Sequence, residues 1–151
     1  DRDYYESQIK PLLNNPLVEY IGEIDQAAKS GFLGNARALL FPIDWPEPFG
    51  LVMIEAMATG TPVIARPRGS VPEIVVDGKT GFMCDTIEEM VRAVYDIEHL
   101  NRQDCRQHVE DHFTTQKMTD GYEAAYRLAL ATLAGTQPMT ASANTDPADQ
   151  G

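Results

Sequence analysis

The chain has 151 residues and a formal net charge of -11 at pH 7, a size that suits one domain. This acidity argues against a nucleic-acid-binding protein, which would carry a basic patch, and against docking of this segment on anionic lipid. No apolar run approaches the roughly 20 residues of a membrane span, and two widely spaced cysteines, Cys84 and Cys105, indicate a reduced intracellular protein.

Short apolar runs alternate with helical stripes, which predicts an α/β fold. The chain begins inside an amphipathic helix, whose apolar stripe is Tyr5, Ile9, Leu12 and Leu13. Asp25 is expected to cap a helix over the ten residues that follow it. Strands are predicted at residues 18–21, 38–41, 62–65 and 82–83, and further helices at 51–59, 71–75, 86–99, from 101, and 115–133.

The domain limits follow from composition. Residues 1–134 are assigned to one folded domain. From Gly135 the sequence turns to Thr, Ser, Ala, Pro, Asn and Asp, which cannot bury enough apolar surface to fold. Residues 135–151 are therefore predicted to be a disordered tail.

The most informative local pattern is a strand, a loop and a helix that carry two carboxylates. Seven residues separate Glu47 from Glu55, and Gly50 lies between them at the start of the apolar helix. Unpaired amides at a helix N-terminus suit a phosphate, and glycine lets the backbone approach it. Ionised carboxylates accept hydrogen bonds from the hydroxyl pairs of a sugar. Phosphate and diols together describe a nucleotide sugar.

Simpler interpretations exist for both carboxylates. Glu47 lies between two prolines and could serve the turn alone. Glu55 lies on a helix that is apolar nearly all round, where a glutamate is costly unless it is paired. A purely structural role for Glu55 therefore stays open beside the binding role.

Three motifs in this order resemble the donor half of a retaining glycosyltransferase of the GT-B fold. The first, PEPFGLVMIEAMATGTPVIA from Pro46, holds the E-x7-E pair; the second is GSVPEI from Gly69; the third is DGKTGF from Asp77. The resemblance implies a Rossmann-like parallel sheet flanked by helices. The chain is most similar in these motifs to the large bacterial family-four group of sugar-nucleotide-dependent transferases. The similarity extends from about residue 18 to about residue 126.

The resemblance implies roles for individual residues. Glu47 would contact hydroxyls of the transferred sugar in the catalytic site, and Glu55 would contact the ribose. Further donor contacts are implied for the backbone of Phe49, Gly50 and Leu51, for the loop of Gly22 near the base and pyrophosphate, and for Glu73. No cofactor and no metal are expected. The substrate would be a nucleoside diphosphate sugar, that is, a sugar linked to UDP or GDP.

The resemblance also implies partners. The acceptor would be a sugar or another hydroxyl compound, held largely by an N-terminal acceptor domain that this chain lacks. The Arg and Lys pair that neutralises the diphosphate in the family would precede Asp1, so the isolated chain is expected to be inactive. The implied location is cytoplasmic, or peripheral at the inner membrane through the absent domain.

Two other functional hypotheses remain open at this stage. The chain could be a non-catalytic nucleotide-sugar-binding module, or a split half that needs a separate acceptor-domain chain. It could also be a folded remnant without affinity, whose unpaired sheet edge would favour association.

Several other residues have competing interpretations. His108 and His112 share a helical face at metal-ligand spacing, but no third ligand of convincing spacing accompanies them, and a solvated face is the simpler interpretation. Arg66 and Arg68 flank Pro67 near the expected ligand edge, where they could hold phosphate or simply be solvated. Cys84 is expected to be a packing residue rather than a nucleophile.

Overall fold

Three short parallel strands form the centre of the part of the chain that the computed structural model describes, residues 2–135. They are β1 (Leu39–Phe41), β2 (Val63–Ala65) and β3 (Gly81–Met83), in the order β1-β2-β3. All neighbours run parallel, so each connection must cross over the sheet, and helices provide these crossovers. The predicted α/β fold with a parallel sheet and flanking helices is confirmed.

The helices occur close to their predicted positions. Besides the α-helices, short 3-10 segments lie at Lys10–Asn14 and Ile97–His99, and a π-helical turn covers Tyr5–Ile9. The α-helices are α1 (Arg2–Tyr4), α2 (Gln26–Asn35), α3 (Leu51–Ala58), α4 (Val71–Ile74), α5 (Ile87–Asp96), α6 (Arg102–His112) and α7 (Thr115–Gly135).

The beginning of the chain departs from the prediction in two ways. Residues 2–14 are helical, but they pass from α through π to 3-10 geometry instead of forming one regular amphipathic helix, and Pro11 lies where the 3-10 segment begins. Proline lacks the backbone N–H that a continuing α-helix needs. The predicted strand at residues 18–21 is wrong: the segment belongs to no helix or strand, and Tyr20 is 75% exposed. Apolar composition makes a strand only where a neighbouring backbone pairs with it.

Both faces of the central strand, β2, are covered, whereas Leu40 of β1 is exposed. Side chains alternate along a strand, so Ile64 points to one face of β2 while Val63 and Ala65 point to the other, and all three are fully buried. Ile64 packs against Met90 and Ala93 of α5. Helix α3 contacts both β1 and β2. This two-sided burial explains why β2 is continuously apolar.

Capping side chains and glycines set the ends of the helices. Asp25 accepts a hydrogen bond from the Ala28 amide at 2.7 Å and starts α2, as predicted. Thr86 and Glu89 form the predicted capping box of α5. Gly60, at φ 82°, follows α3 and terminates it. The amides of Gly60 and Thr61 donate to the carbonyls of Met57 and Ala56, respectively. This pairing is a Schellman motif, which needs the left-handed residue that glycine supplies.

The chain separates into two compact units, a first that ends at Asp111 and a second that begins at His112. The second contains α7, where the rings of Tyr122 and Tyr126 stack at 6.3 Å between centroids. The predicted tail lies outside the described residues except for Gly135, which ends α7. No helix within residues 2–135 is long and apolar enough to cross a membrane.

Gly81 allows β3 to approach β2, and replacing it with alanine should be strongly destabilising. A Cβ built on Gly81 would lie 2.9 Å from the Val63 carbonyl carbon and 3.0 Å from its nitrogen, and these backbone atoms cannot move without separating the strands. We expect Gly81→Ala to lower the free energy of unfolding by about 3 kcal/mol, measured by urea denaturation. Gly121→Ala is the control, since a Cβ there meets nothing within 4 Å. An equal effect of both changes would contradict this account.

Both cysteines should be unreactive in the folded chain. Burial raises the pKa of Cys105 to about 11 and also raises the pKa of Cys84. The thiolate is the reactive form, so a thiol reagent at pH 8 should modify neither residue until the chain is unfolded, and then both. Rapid modification of Cys105 under native conditions, followed by mass spectrometry, would show that its site opens.

Candidate functional site

The candidate site lies at the edge of the sheet where the three parallel strands end. Three loops leave this edge: residues 42–50 after β1, residues 66–70 after β2, and residues 84–86 after β3. In an open parallel sheet, ligands bind outside these carboxyl ends. The first loop, which we call the Glu47 loop, contains the first motif glutamate.

Gly50 makes the sharp turn from the Glu47 loop into α3. Its backbone has φ 72° and ψ 62°, and it is the N-cap residue of the helix. A Cβ built at this position would lie 2.7 Å from Cε of Met53, 3.2 Å from Cζ of Phe41 and 3.5 Å from Cγ of Glu47. The turn therefore requires glycine both for its left-handed backbone and for space. The same distances place the Glu47 side chain beside the N-terminus of α3.

Glu47 is held from two directions and is partly exposed. Its carboxylate Oε2 accepts a hydrogen bond from the indole Nε1 of Trp45 at 3.0 Å. Its backbone amide donates to the Trp45 carbonyl at 2.8 Å, and its carbonyl accepts from the amide of Ser70 at 3.0 Å. The carboxylate thus has one oxygen bonded to a neighbour within the same loop.

The loop after β2 fixes the Glu47 loop through backbone contacts. The hydroxyl of Ser70, a buried residue, donates to the Phe49 carbonyl at 2.8 Å. Gly69, at φ 53°, lies directly against the backbone of Pro46 and Glu47, so that a Cβ there would be 2.7 Å from the Pro46 carbonyl carbon. The second motif therefore supports the first motif structurally.

Two arginines of the loop after β2 pair with carboxylates of the neighbouring loops. Nη1 of Arg66 lies 2.9 Å from Oδ2 of Asp44, and Nε of Arg68 lies 3.2 Å from its Oδ1. Nη1 of Arg68 also reaches Oδ1 of Asp85, after β3, at 3.2 Å. The hydrogen bond from Arg66, together with the charges of both guanidinium groups, holds the pKa of Asp44 below its usual value.

Glu55 lies on α3 about 6 Å along the helix axis from Leu51, and its partner is a cation. Oε1 of Glu55 accepts a hydrogen bond from Nζ of Lys29 on α2 at 2.9 Å, and both side chains are about one third exposed. The pairing explains how a glutamate is tolerated on an otherwise apolar helix. Because the carboxylate remains partly exposed, the structural and binding interpretations are compatible.

The remaining predicted residues are brought together unevenly. Phe49 and Leu51 flank Gly50, with 40% and 63% of their surfaces exposed. Glu73 is exposed on α4, three residues after Ser70. Gly22 adopts φ 72° in the loop before α2, and a Cβ there would meet nothing within 4 Å.

The histidine pair has a structural explanation on one side. Nε2 of His108 lies 3.0 Å from the carbonyl oxygen of Ile74, which links α6 to α4. Across residues 2–135, no group of three histidine, cysteine or acidic side chains is placed to hold a metal ion.

Sequence reasoning missed four residues that shape the site: Lys29, Asp44, Trp45 and Ser70. Asp44 lies 22 positions from Arg66, and Ser70 lies 21 positions from Phe49. No local pattern indicates contacts at such separations. A lone tryptophan two positions before the first motif glutamate was a usable signal.

Comparisons with known proteins agree with this architecture. The protein-family model described as "Glycosyl transferases group 1" matches residues 1–111. An N-acetyl-alpha-D-glucosaminyl L-malate synthase of Bacillus anthracis is 30% identical over 126 residues, covering 78% of this chain and 32% of that protein. A D-inositol 3-phosphate glycosyltransferase of Nocardioides sp. is 37% identical over 71 residues, covering 47% of this chain and 15% of that protein.

A solved structure is also similar. Sucrose-phosphate synthase from Thermosynechococcus elongatus superposes with a TM-score of 0.72 at 27% sequence identity, covering 87% of this chain and 35% of that one. The chain therefore spans about a third of the length of these longer matches. The family match over residues 1–111 and the shared fold lead to one conclusion: the chain belongs to the group 1 glycosyl transferases, with the Rossmann-like α/β architecture of a GT-B domain.

Proposed function

We propose that this chain binds the donor in a retaining glycosyltransferase, which moves a sugar from a nucleoside diphosphate sugar to an acceptor hydroxyl. The observation that carries the proposal is the left-handed Gly50 turn, which sets the Glu47 side chain beside the N-terminus of α3. The amides at this end of the helix carry partial positive charge. A diphosphate and a sugar can therefore be recognised side by side at one edge of the sheet.

Each carboxylate has a distinct role in this proposal. Glu47 uses Oε2 for Trp45 and offers Oε1 to hydroxyls of the transferred sugar. Glu55 uses Oε1 for Lys29 and offers Oε2 to the ribose hydroxyls. An ionised carboxylate only accepts hydrogen bonds, so each of these oxygens selects a ligand group that donates one, such as a hydroxyl.

The chemistry demands stabilisation of two charges as the bond between sugar and phosphate breaks. The sugar develops positive, oxocarbenium-like character, and the diphosphate leaves with additional negative charge. Backbone dipoles at Gly50 and Leu51 are oriented before the reaction and stabilise the departing diphosphate at little reorganisation cost. Closure of an acceptor domain over this edge would exclude water and complete the site.

Phe49, Gly22 and Glu73 have subsidiary roles in the proposal. The backbone of Phe49 contributes to the diphosphate turn beside Gly50. The loop of Gly22 would approach the base and pyrophosphate when the donor is bound, and Glu73 would lie near the donor on the opposite side. The length of the matched relatives supports placing the acceptor site in a separate domain, so a donor-binding chain without activity of its own is the form expected in isolation.

Calorimetric titration tests the carboxylate roles. The chain is titrated with UDP and GDP, and then with UDP-glucose and GDP-mannose. Glu55→Ala should weaken binding of the nucleoside diphosphate about tenfold or more, because it removes a charge-assisted hydrogen bond to ribose. Glu47→Ala should weaken the binding of the sugar-bearing ligands only.

Glu110→Ala is the control for this titration, since it removes a glutamate of an exposed helical ion pair on α6, which contributes little to stability. Unchanged affinity in Glu55→Ala would remove that residue from the site. If the folded chain binds none of the four ligands, the proposal that this chain forms the donor site is wrong. Transfer to an acceptor by the chain alone would overturn the expected dependence on a second domain.

Gly50→Ala tests the turn itself. An alanine at φ 72° should cost about 1–2 kcal/mol of stability, and the displaced turn should abolish diphosphate binding. Gly78→Ala is a matched control, because Gly78 has φ 70° but open space around it and lies before β3, at the other end of the strands. Equal loss of ligand affinity in both variants, measured alongside urea denaturation, would show that the effect is general destabilisation.

A further inference from the structure

Trp45 is the single tryptophan of the chain, and it lies exposed at the candidate site. Its side chain is 59% exposed although tryptophan is usually well buried. It belongs to the Glu47 loop, two residues before Glu47. A large apolar ring at a ligand-binding edge, with its polar end already engaged, has a face free for contact.

The indole N–H fixes one oxygen of the Glu47 carboxylate. An indole nitrogen is a donor only, and Nε1 lies 3.0 Å from Oε2. Hydrogen bonds to an ionised acceptor are stronger than neutral ones, so this contact restricts rotation of the carboxylate. Within residues 2–135, Oε1 has no hydrogen-bond partner, which leaves it for a ligand.

The backbone on both sides of Trp45 is held in place. Asp44, the preceding residue, pairs with Arg66 and Arg68 of the loop after β2. The Trp45 carbonyl accepts from the amide of Glu47 at 2.8 Å, and the Glu47 carbonyl in turn accepts from Ser70. The indole is therefore set on a tethered backbone before any ligand arrives, which lowers the entropy cost of binding.

We propose that Trp45 positions Glu47 through its indole N–H and contacts the sugar of the donor through its exposed ring face. An aromatic face is electron-rich and packs against the apolar C–H face of a pyranose, while the adjacent carboxylate accepts from hydroxyls at the ring's edge. This inference rests on the proposed donor function and adds a specificity contact to it. Trp45 is a positioning residue for Glu47 and a binding residue for the sugar.

The hydrogen bond is testable without any ligand. A chain labelled with ¹⁵N should give one indole N–H resonance, because it has one tryptophan. Glu47→Ala removes the acceptor and should speed solvent exchange of this proton about tenfold, whereas Glu110→Ala should leave it unchanged. Equal exchange in the wild type and Glu47→Ala would overturn the positioning role.

The ring contact is tested by titrating the same labelled chain with UDP, GDP, UDP-glucose and GDP-mannose. The indole resonance should move with a sugar-bearing ligand and not with the matching nucleoside diphosphate, while the amides of residues 49–51 move with both. Movement of those amides without the indole would overturn the ring contact alone. If no resonance moves with any ligand, the proposed donor function fails, and with it the ring contact, while the exchange experiment still decides the positioning role.

Two substitutions separate the two parts of the inference. Trp45→Phe keeps an aromatic face but loses the N–H, and Trp45→Ala loses both. Affinity for the sugar-bearing ligand should fall about threefold in Trp45→Phe and about tenfold or more in Trp45→Ala, with affinity for the nucleoside diphosphate equal in all three chains. Parallel loss of nucleoside diphosphate affinity would show that Trp45 only maintains the loop.

Discussion

The geometry of the site depends on the contact between the loops that leave β1 and β2. Gly69 has no side chain, so the backbone of the second loop can lie directly on Pro46 and Glu47, and Ser70 then bonds to the carbonyls of Glu47 and Phe49. Without this approach, the Glu47 loop would have few fixed points between the end of β1 and Gly50. Two motifs that are separated in sequence thus form one structural unit, in which the second determines where the first places its carboxylate.

At the same edge of the sheet, two arginines and two aspartates pair with one another. Arg66 and Arg68 both pair with Asp44, Arg68 also pairs with Asp85, and these ion pairs link all three loops. The arginines are therefore paired with carboxylates and not simply solvated, while their contact with a phosphate stays a prediction. Nε of Arg66 is buried and has no hydrogen-bond partner among residues 2–135, a cost that the bond to Asp44 offsets only in part. The pairs are exposed enough to be individually weak, so their main effect is to hold the loops in register.

Much of the fold was predictable because its signals are local. A capping residue, a capping box and a terminal glycine predict α2, α5 and the end of α3, and short runs with no polar residue predict β1 and β2. Residues 18–21 show the limit of this reasoning, since their mostly apolar side chains fit a strand, but within residues 2–135 the segment joins no sheet. The sequence predicts Glu47, Gly50 and Glu55 as candidate site residues, which stay predictions, but it does not predict which residues contact them in the fold. Lys29 reaches Glu55 only through the folded chain, and although Ser70 belongs to the second motif, the sequence does not reveal its bonds to Glu47 and Phe49.

Arg102, at the start of α6, carries a consequence for the order in which the chain can become stable during synthesis. Its guanidinium donates to the carbonyls of Gly34 and Ala36, at 2.7 and 2.8 Å, and to the hydroxyl of Thr61 at 2.8 Å. These carbonyls lie at the C-terminal end of α2, where helix carbonyls lack intrahelical partners and the helix dipole attracts a cation. Arg102 lies 66 positions after Ala36 and 68 positions after Gly34. A ribosome must therefore complete α3, β2, β3 and α5 before the end of α2 obtains this cation. The C-terminal end of α2 therefore lacks this cation until residue 102 has been synthesised.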